Sequence, residues 1–229
     1  MRVLYAGTPR RASSAVESED APPWVKPRPV ACRWIFHPEA PAAPFVTAYR
    51  NGFELEEART VTFHVAADER YELYLNGERV GRGNDRGDPC EWYFDTYTFA
   101  LPAGKHLLVA RTWALGALAP WAQVTIRPGF MLAPEDPGDD DWLATGAADW
   151  EVARLDGYSF REVDSLGIGT GAKLILDGYR FPWGFEEGLN GDWVAAEKGE
   201  YWNDGRTGFV SAGEHLLVPS ILQTQVNRP

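Results

Sequence analysis

Cysteine is nearly absent from this chain, with Cys32 and Cys90 the only two among 229 residues. Two cysteines cannot build the disulfide framework of a small secreted domain. One bridge is possible, and two buried thiols suit a reduced compartment better. Basic charge is scarce as well: Lys and Arg number 22 against 33 Asp and Glu, a formal net charge of −11. Phosphate recognition draws on clustered Lys and Arg, so nucleic acid is excluded as an expected partner. The same acidic excess is repelled by an anionic membrane surface. No run approaches the roughly 20 apolar residues of a membrane span. The opening MRVLYAGTPRRASSAVESED also lacks the apolar core of a secretory signal. The expectation is therefore a cytoplasmic protein. Histidine is limited to His37, His64, His106 and His215, without the spacing of a zinc site. His64 reads as the outward side of a strand, and the other three as surface or edge positions. Phosphate-loop and hydrolase-elbow motifs are missing too, and no cofactor is expected.

Glycine (23), proline (17) and tryptophan (10) are plentiful. Gly and Pro cut a chain into short segments, as a strand-and-turn protein requires. In 60–66, Val61, Phe63 and Val65 alternate with Thr62 and His64; in 71–76, Tyr71, Leu73 and Leu75 share a face. Period-2 alternation marks strands with one buried side. Asn76-Gly77 follows, a hairpin signal because both residues accept positive φ. Further strands are predicted over 45–53, 92–99, 105–113, 123–131, 150–155, 173–177, 193–197 and 215–218, and helix is minor.

Residues 1–30 read as a poorly ordered, Pro-rich leader. The acidic run 134–141 resembles a linker. The four strands beyond it are too few to close a second core, so one β-sandwich over 31–229 is expected.

Glycoside hydrolysis needs two carboxyl groups about 5–9.5 Å apart. Pairs such as Glu186 with Glu187, or Asp95 with Asp68, read as solvated surface charges, and no catalytic residue is assigned. Asp136, Asp139, Asp140 and Asp141 could offer oxygens to calcium, although Pro137-Gly138 among them fits a plain solvated turn. The Gly-rich stretch from 177 onward mixes apolar plates with short polar groups, as a pyranose would need: Tyr179, Arg180, Trp183, Asn190, Asp192, Trp202 and Asn203 are the candidate sugar-binding residues, with Phe185, Trp193 and Asp177 beside them. Equally, these rings could cap the core or face a neighbouring domain. The polar loop 82–86 (RGNDR) is a second place where a ligand or a catalytic domain could be met.

Segment 66–113, AADERYELYLNGERVGRGNDRGDPCEWYFDTYTFALPAGKHLLVARTW, resembles the N-terminal jelly-roll domain of α-L-rhamnosidases. It carries an Ala-Asp strand end, an aromatic strand, an "NG…VG.G" hairpin and an "L..G" turn before a hydrophobic strand. Lys105-His106 stand where that family commonly has Gly-Asn. Trp34-Ile35 resembles the opening "WI" strand and Asp149-Trp150 a "D..W". Gly178-Tyr179-Arg180, Pro182-Trp183-Gly184-Phe185 and Asp192-Trp193 resemble a "YDAR…GW…W" passage. The likeness spans roughly 31–218, densely in the first half. Sugar-binding jelly rolls of β-galactosidase- and β-glucuronidase-like enzymes share the hairpin. The resemblance implies an all-β, galactose-binding-domain-like antiparallel sandwich. The catalytic carboxylates of those rhamnosidases lie in a separate helical barrel, to which nothing here is similar. A non-catalytic carbohydrate-binding or accessory module is therefore implied, its partner a rhamnose- or galactose-containing glycan or a glycoside hydrolase catalytic domain. A structural docking domain without sugar affinity is the alternative.

Overall fold

The computed structural model describes residues 32–39, 42–87, 92–161, 163, 166–201 and 217–219. Two six-stranded sheets form the framework. The first contains β1 (Arg33–Phe36), β3 (Arg59–Ala67), β6 (Trp92–Leu101), β8 (Phe130–Pro134), β13 (Glu197–Tyr201) and β14 (Leu217–Pro219), in the order β13-β1-β8-β3-β6-β14. The second contains β2 (Phe45–Leu55), β4 (Arg70–Leu75), β5 (Glu78–Gly83), β7 (Gly104–Ala114), β9 (Glu151–Arg154) and β12 (Val194–Ala195), in the order β12-β9-β2-β7-β4-β5. A separate hairpin joins β10 (Tyr158–Arg161) to β11 (Lys173–Leu176). Pairing is antiparallel throughout, except that β14 runs parallel to β6. This is an antiparallel β-sandwich, as the alternating strands predict and as the resemblance to a jelly-roll domain implies.

The inward residues are those the alternation selects. Val61, Phe63 and Val65 from β3 meet Tyr71, Leu73 and Leu75 from β4, with Tyr49, Leu108 and Phe130, in one buried cluster between the sheets. The Asn76-Gly77 turn has φ of 53° and 82°, the double positive φ of a type I′ hairpin. Gly81 and Gly83 serve close approach. A Cβ on Gly81 would lie 2.2 Å from the Tyr97 hydroxyl, and one on Gly83 1.8 Å from Asp95 Oδ2. The "VG.G" spacing thus lets β5 lie against the buried Tyr71, Tyr97 and Asp95.

Both sheets are covered on their outer faces as well, and this corrects the reading of the histidines. On the first sheet, Trp34, Phe36, Ala66, Trp92, Phe94 and Met131 form a second buried cluster, with Val124 and Ile126 packed against it. His64 sits on that face and is buried. Its Nδ1 is 2.9 Å from Thr96 Oγ1, its Nε2 2.7 Å from the Glu135 carboxylate, and its ring meets Phe94 edge-on. A sheet covered on both sides no longer divides its residues into core and solvent. His106 is buried too: Nε2 donates to Pro102 O and Nδ1 accepts from Asn76 Nδ2, which fixes the neutral Nε2–H tautomer.

Two strand boundaries differ from expectation. Residues 123–129 form a loop, and β8 begins only at Phe130, because the Asp68 carboxylate takes the N–H groups of Ile126 and Arg127 away from any ladder. The expected strand 193–197 is two. Val194–Ala195 pairs with β9, Ala196 N donates to Trp150 O, and Glu197–Tyr201 pairs with β1, so the chain changes sheets there. The strand β10 was not foreseen. The leader 1–30, Cys90 and His215 lie outside the described residues; Cys32 is buried. No helix among the described residues is long and apolar enough to cross a membrane.

Candidate functional site

Residues 155–160 and 181–193 pack on the outer face of the second sheet. Their anchors are Leu155, Phe181 and Phe185, buried against Val46, Ala48 and Val109. Side chains alternate from there: Phe181 and Phe185 point into the cluster, while Tyr179 and Trp183 are left outside. Trp183 is 61% exposed and Tyr179 fully so. The exposed indole is nonetheless held in place. Trp183 Nε1 donates to Gly178 O (2.8 Å), its ring packs edge-on against Phe181 at 4.9 Å, and Asn190 Nδ2 donates to Trp183 O (2.7 Å). Asp177 Oδ1 accepts from Tyr179 N (3.0 Å), setting the turn that carries Tyr179. With its polar edge engaged, the indole offers its apolar face, and a ring face is what sugar C–H groups stack upon.

Tyr179, Arg180, Trp183, Asn190 and Asp192 are each exposed on the chain between β11 and β12, and Asn190 bonds to Trp183. Trp193 is half-buried beneath the Arg50 guanidinium, 4.3 Å from the ring centroid. Arg50 also pairs with Glu151 (2.7 Å) and donates to Gly188 O, which ties the loop to β2 and β9. Trp202 and Asn203 lie outside the described residues.

Sequence reasoning missed a neighbouring set of exposed apolar side chains. Trp121 is 70% exposed and Ile168 73%, and their loops are joined by bonds from Trp121 N to Gly167 O and from Ala122 N to Ile168 O. Leu174, Ile175 and Leu176 of β11 are exposed as well. The available signal was the unbroken Leu-Ile-Leu run, which lacks the alternation of a half-buried strand.

Of the carboxylates singled out earlier, Glu187 is exposed and Glu186 partly so, as expected, whereas Asp68 and Asp95 are placed differently. Asp68 and Asp95 are buried, not solvated. Asp68 accepts from Thr125 Oγ1 and from the N–H groups of Ile126 and Arg127, and Asp95 accepts from the Tyr71 hydroxyl at 2.6 Å. Glu72 is paired with Arg111 and Arg79 and accepts from Tyr74. Burial opposes its ionisation, but the Arg111 guanidinium, Tyr74 and Arg79 together hold its carboxyl below the ordinary value. Every one of these groups is engaged in structure. The acidic run does not form a cation cage either. Asp136 caps Gly138 N and Asp139 is buried against Arg59 at 2.9 Å. Asp140 is buried and Asp141 exposed. No group of three or more potential ligands among the described residues is placed to hold a metal. The polar stretch 82–86 is not all loop, since Arg82 and Gly83 end β5; Asn84 Oδ1 accepts from Ala67 N, and Arg82 and Arg86 are exposed.

No protein-family model and no curated protein matches the sequence. Solved structures do match. A GH78 family rhamnosidase of Bacillus sp. GL1 superposes with a TM-score of 0.58 at 22% identity, over 73% of this chain and 18% of that one. The α-L-rhamnosidase from Dictyoglumus thermophilum gives 0.52 at 18% identity, over 83% and 22%. That from Aspergillus terreus gives 0.50 at 15%, over 76% and 22%. What this chain shares with these rhamnosidases is therefore a β-sandwich fold, spanning about a fifth of each enzyme's length.

Proposed function

We propose that this chain is a non-catalytic β-sandwich module, residues 31–229, of an α-L-rhamnosidase-like glycoside hydrolase, and that the Tyr179–Asp192 loop presents an aromatic platform to carbohydrate. The observation that carries the reading is Trp183. A ring left 61% exposed, yet fixed by its own indole N–H, by Phe181 and by Asn190, is a preformed stacking surface. Arg180 and Asp192, exposed nearby, supply a donor and an acceptor for hydroxyl groups. A neutral glycan suits a chain of net charge −11 better than an anionic one.

The test is a titration of rhamnose- and galactose-containing oligosaccharides followed by tryptophan fluorescence. One exposed stacking site supports a dissociation constant near about 1 mM, roughly −4 kcal/mol. Trp183→Ala removes most of that affinity while its melting temperature stays close to wild type. Phe181→Ala, which empties a buried position, costs about 3–5 kcal/mol of stability. A Trp183→Ala variant that binds sugar as tightly as wild type refutes the platform.

A second reading, docking on another domain without sugar affinity, is favoured by Trp121 and Ile168, two largely exposed apolar side chains on adjoining loops. It gains support if no oligosaccharide perturbs the fluorescence.

A further inference from the structure

The β10–β11 hairpin belongs to neither sheet, and Lys173, Leu174, Ile175 and Leu176 are exposed along the whole of β11. The three apolar residues keep 45%, 49% and 41% of their surface open. In an antiparallel pair, alternate residues turn N–H and C=O toward the partner strand. The bond from Asp177 N to Gly157 O (2.8 Å) sets the phase. Ile175 opposite Ser159 and Lys173 opposite Arg161 follow the same phase, so the peptide groups of Leu174 and Leu176 point to the other edge, which the β7–β8 connection meets just before the strand, through Ala172 N to Leu118 O (2.9 Å). An exposed apolar edge of this kind is a template for another strand.

The strand and the residue after it, Lys-Leu-Ile-Leu-Asp over 173–177, are complementary to themselves when read antiparallel. A two-fold axis through Ile175 sets Leu174 against Leu176 of the second copy, the very residues whose peptide groups face the edge. It also sets Lys173 against Asp177. Because side chains alternate, one face gains an Ile–Ile contact flanked by two Lys–Asp pairs, and the other gathers four leucines. Lys173 has no ion-pair partner among the described residues, and Asp177 uses Oδ1 in its turn with Tyr179 N. Parallel pairing in register would stack Lys on Lys and Asp on Asp, which is unfavourable.

We infer that β11 is a self-association edge: a second copy of this chain adds its own β11 antiparallel about Ile175, giving a four-stranded β10-β11-β11-β10 sheet. The symmetry consumes the edge on both copies, so assembly closes at a dimer.

Sedimentation velocity of the full chain over a wide concentration range should show a weight-average mass rising from monomer to dimer. Ile175→Lys puts like charges across the axis and should weaken association at least about tenfold, or about 1.4 kcal/mol. Leu174→Pro removes an N–H that the hairpin does not use and should do the same with little change in melting temperature. Lys173→Asp and Asp177→Lys should each lose self-association, yet the two variants mixed should form a heterodimer, because both charge pairs are then restored. A chain monomeric at every concentration overturns the inference. So does a dimer indifferent to Ile175→Lys and Leu174→Pro, or a mixture of folded charge variants that stays monomeric.

Discussion

Glu69 is buried, with Oε1 accepting from Leu115 N (2.7 Å) and Gly116 N (3.0 Å), while Oε2 has no hydrogen-bond partner among the described residues. Burial pushes its carboxyl up to about 7, against the two backbone donors; Asp68 adds to the rise and Arg70 opposes it. The sign for stability follows. Below the ordinary value of 4.5, folded and unfolded chains both hold the proton and Glu69 contributes no pH dependence. From there to about 7 the unfolded chain ionises while the folded one keeps its proton, so stability falls as pH rises, and above about 7 the penalty is complete. It amounts to at most about 3 kcal/mol. Glu69→Gln keeps an acceptor for Leu115 and Gly116 without the charge. Thermal melts should therefore show the variant gaining on wild type between about pH 5 and about pH 8; a constant difference across that range contradicts the assignment. The sequence gives no hint of this, since Asp68-Glu69 reads as an ordinary polar turn between two strands.

At the scale of elements, the same turn fastens the long β7–β8 connection. Glu69 holds its start at Leu115 and Gly116, and Asp68 holds its end at Thr125, Ile126 and Arg127. Two acceptors thus fix a stretch that carries Trp121 outward. Asp68→Ala strips the acceptor from two backbone donors, and unsatisfied groups cost about 1–3 kcal/mol each. The expected outcome is a destabilisation of about 2–4 kcal/mol, with faster hydrogen exchange at Ile126 and Arg127 than in the central strands. Uniform acceleration over the whole chain would show that Asp68 supports the core rather than this connection. The hairpin β4–β5 was legible beforehand because Asn76-Gly77 encodes its turn locally. The boundary of β8 was not, since a carboxylate more than fifty positions earlier in the chain sets it.

At the scale of the whole molecule, the buried and half-buried carboxylates named above are committed to structure: Asp68 and Glu69 to backbone amides, Asp95 to Tyr71, Glu72 to Arg111, Asp139 to Arg59. The purified chain should accordingly show no turnover of aryl-rhamnosides or aryl-galactosides. Hydrolysis abolished by a single Asp or Glu substitution would overturn the non-catalytic reading. Strands from beyond the acidic run complete both sheets, with β13 beside β1 in the first and β9 beside β2 in the second. The hairpin strand β11 joins neither sheet and keeps Leu174, Ile175 and Leu176 exposed.

Local chemistry by itself determined the strands, the hairpin turn, the scarcity of helix and the inward set of Val61, Phe63, Val65, Tyr71 and Leu73, because period-2 alternation and an Asn-Gly turn act over a few residues. It also marked Tyr179 and Trp183 as ring-bearing loop positions. Only the tertiary structure decided which rings face outward. Phe181 and Phe185 are as aromatic as their neighbours, and what separates them from Trp183 is the apolar outer face of the second sheet on which they land. The same applies to His64, Asp68 and Asp95, read as solvent-facing and found buried. A sequence shows which side of a strand a residue takes, but whether that side meets water depends on segments that arrive from elsewhere in the chain.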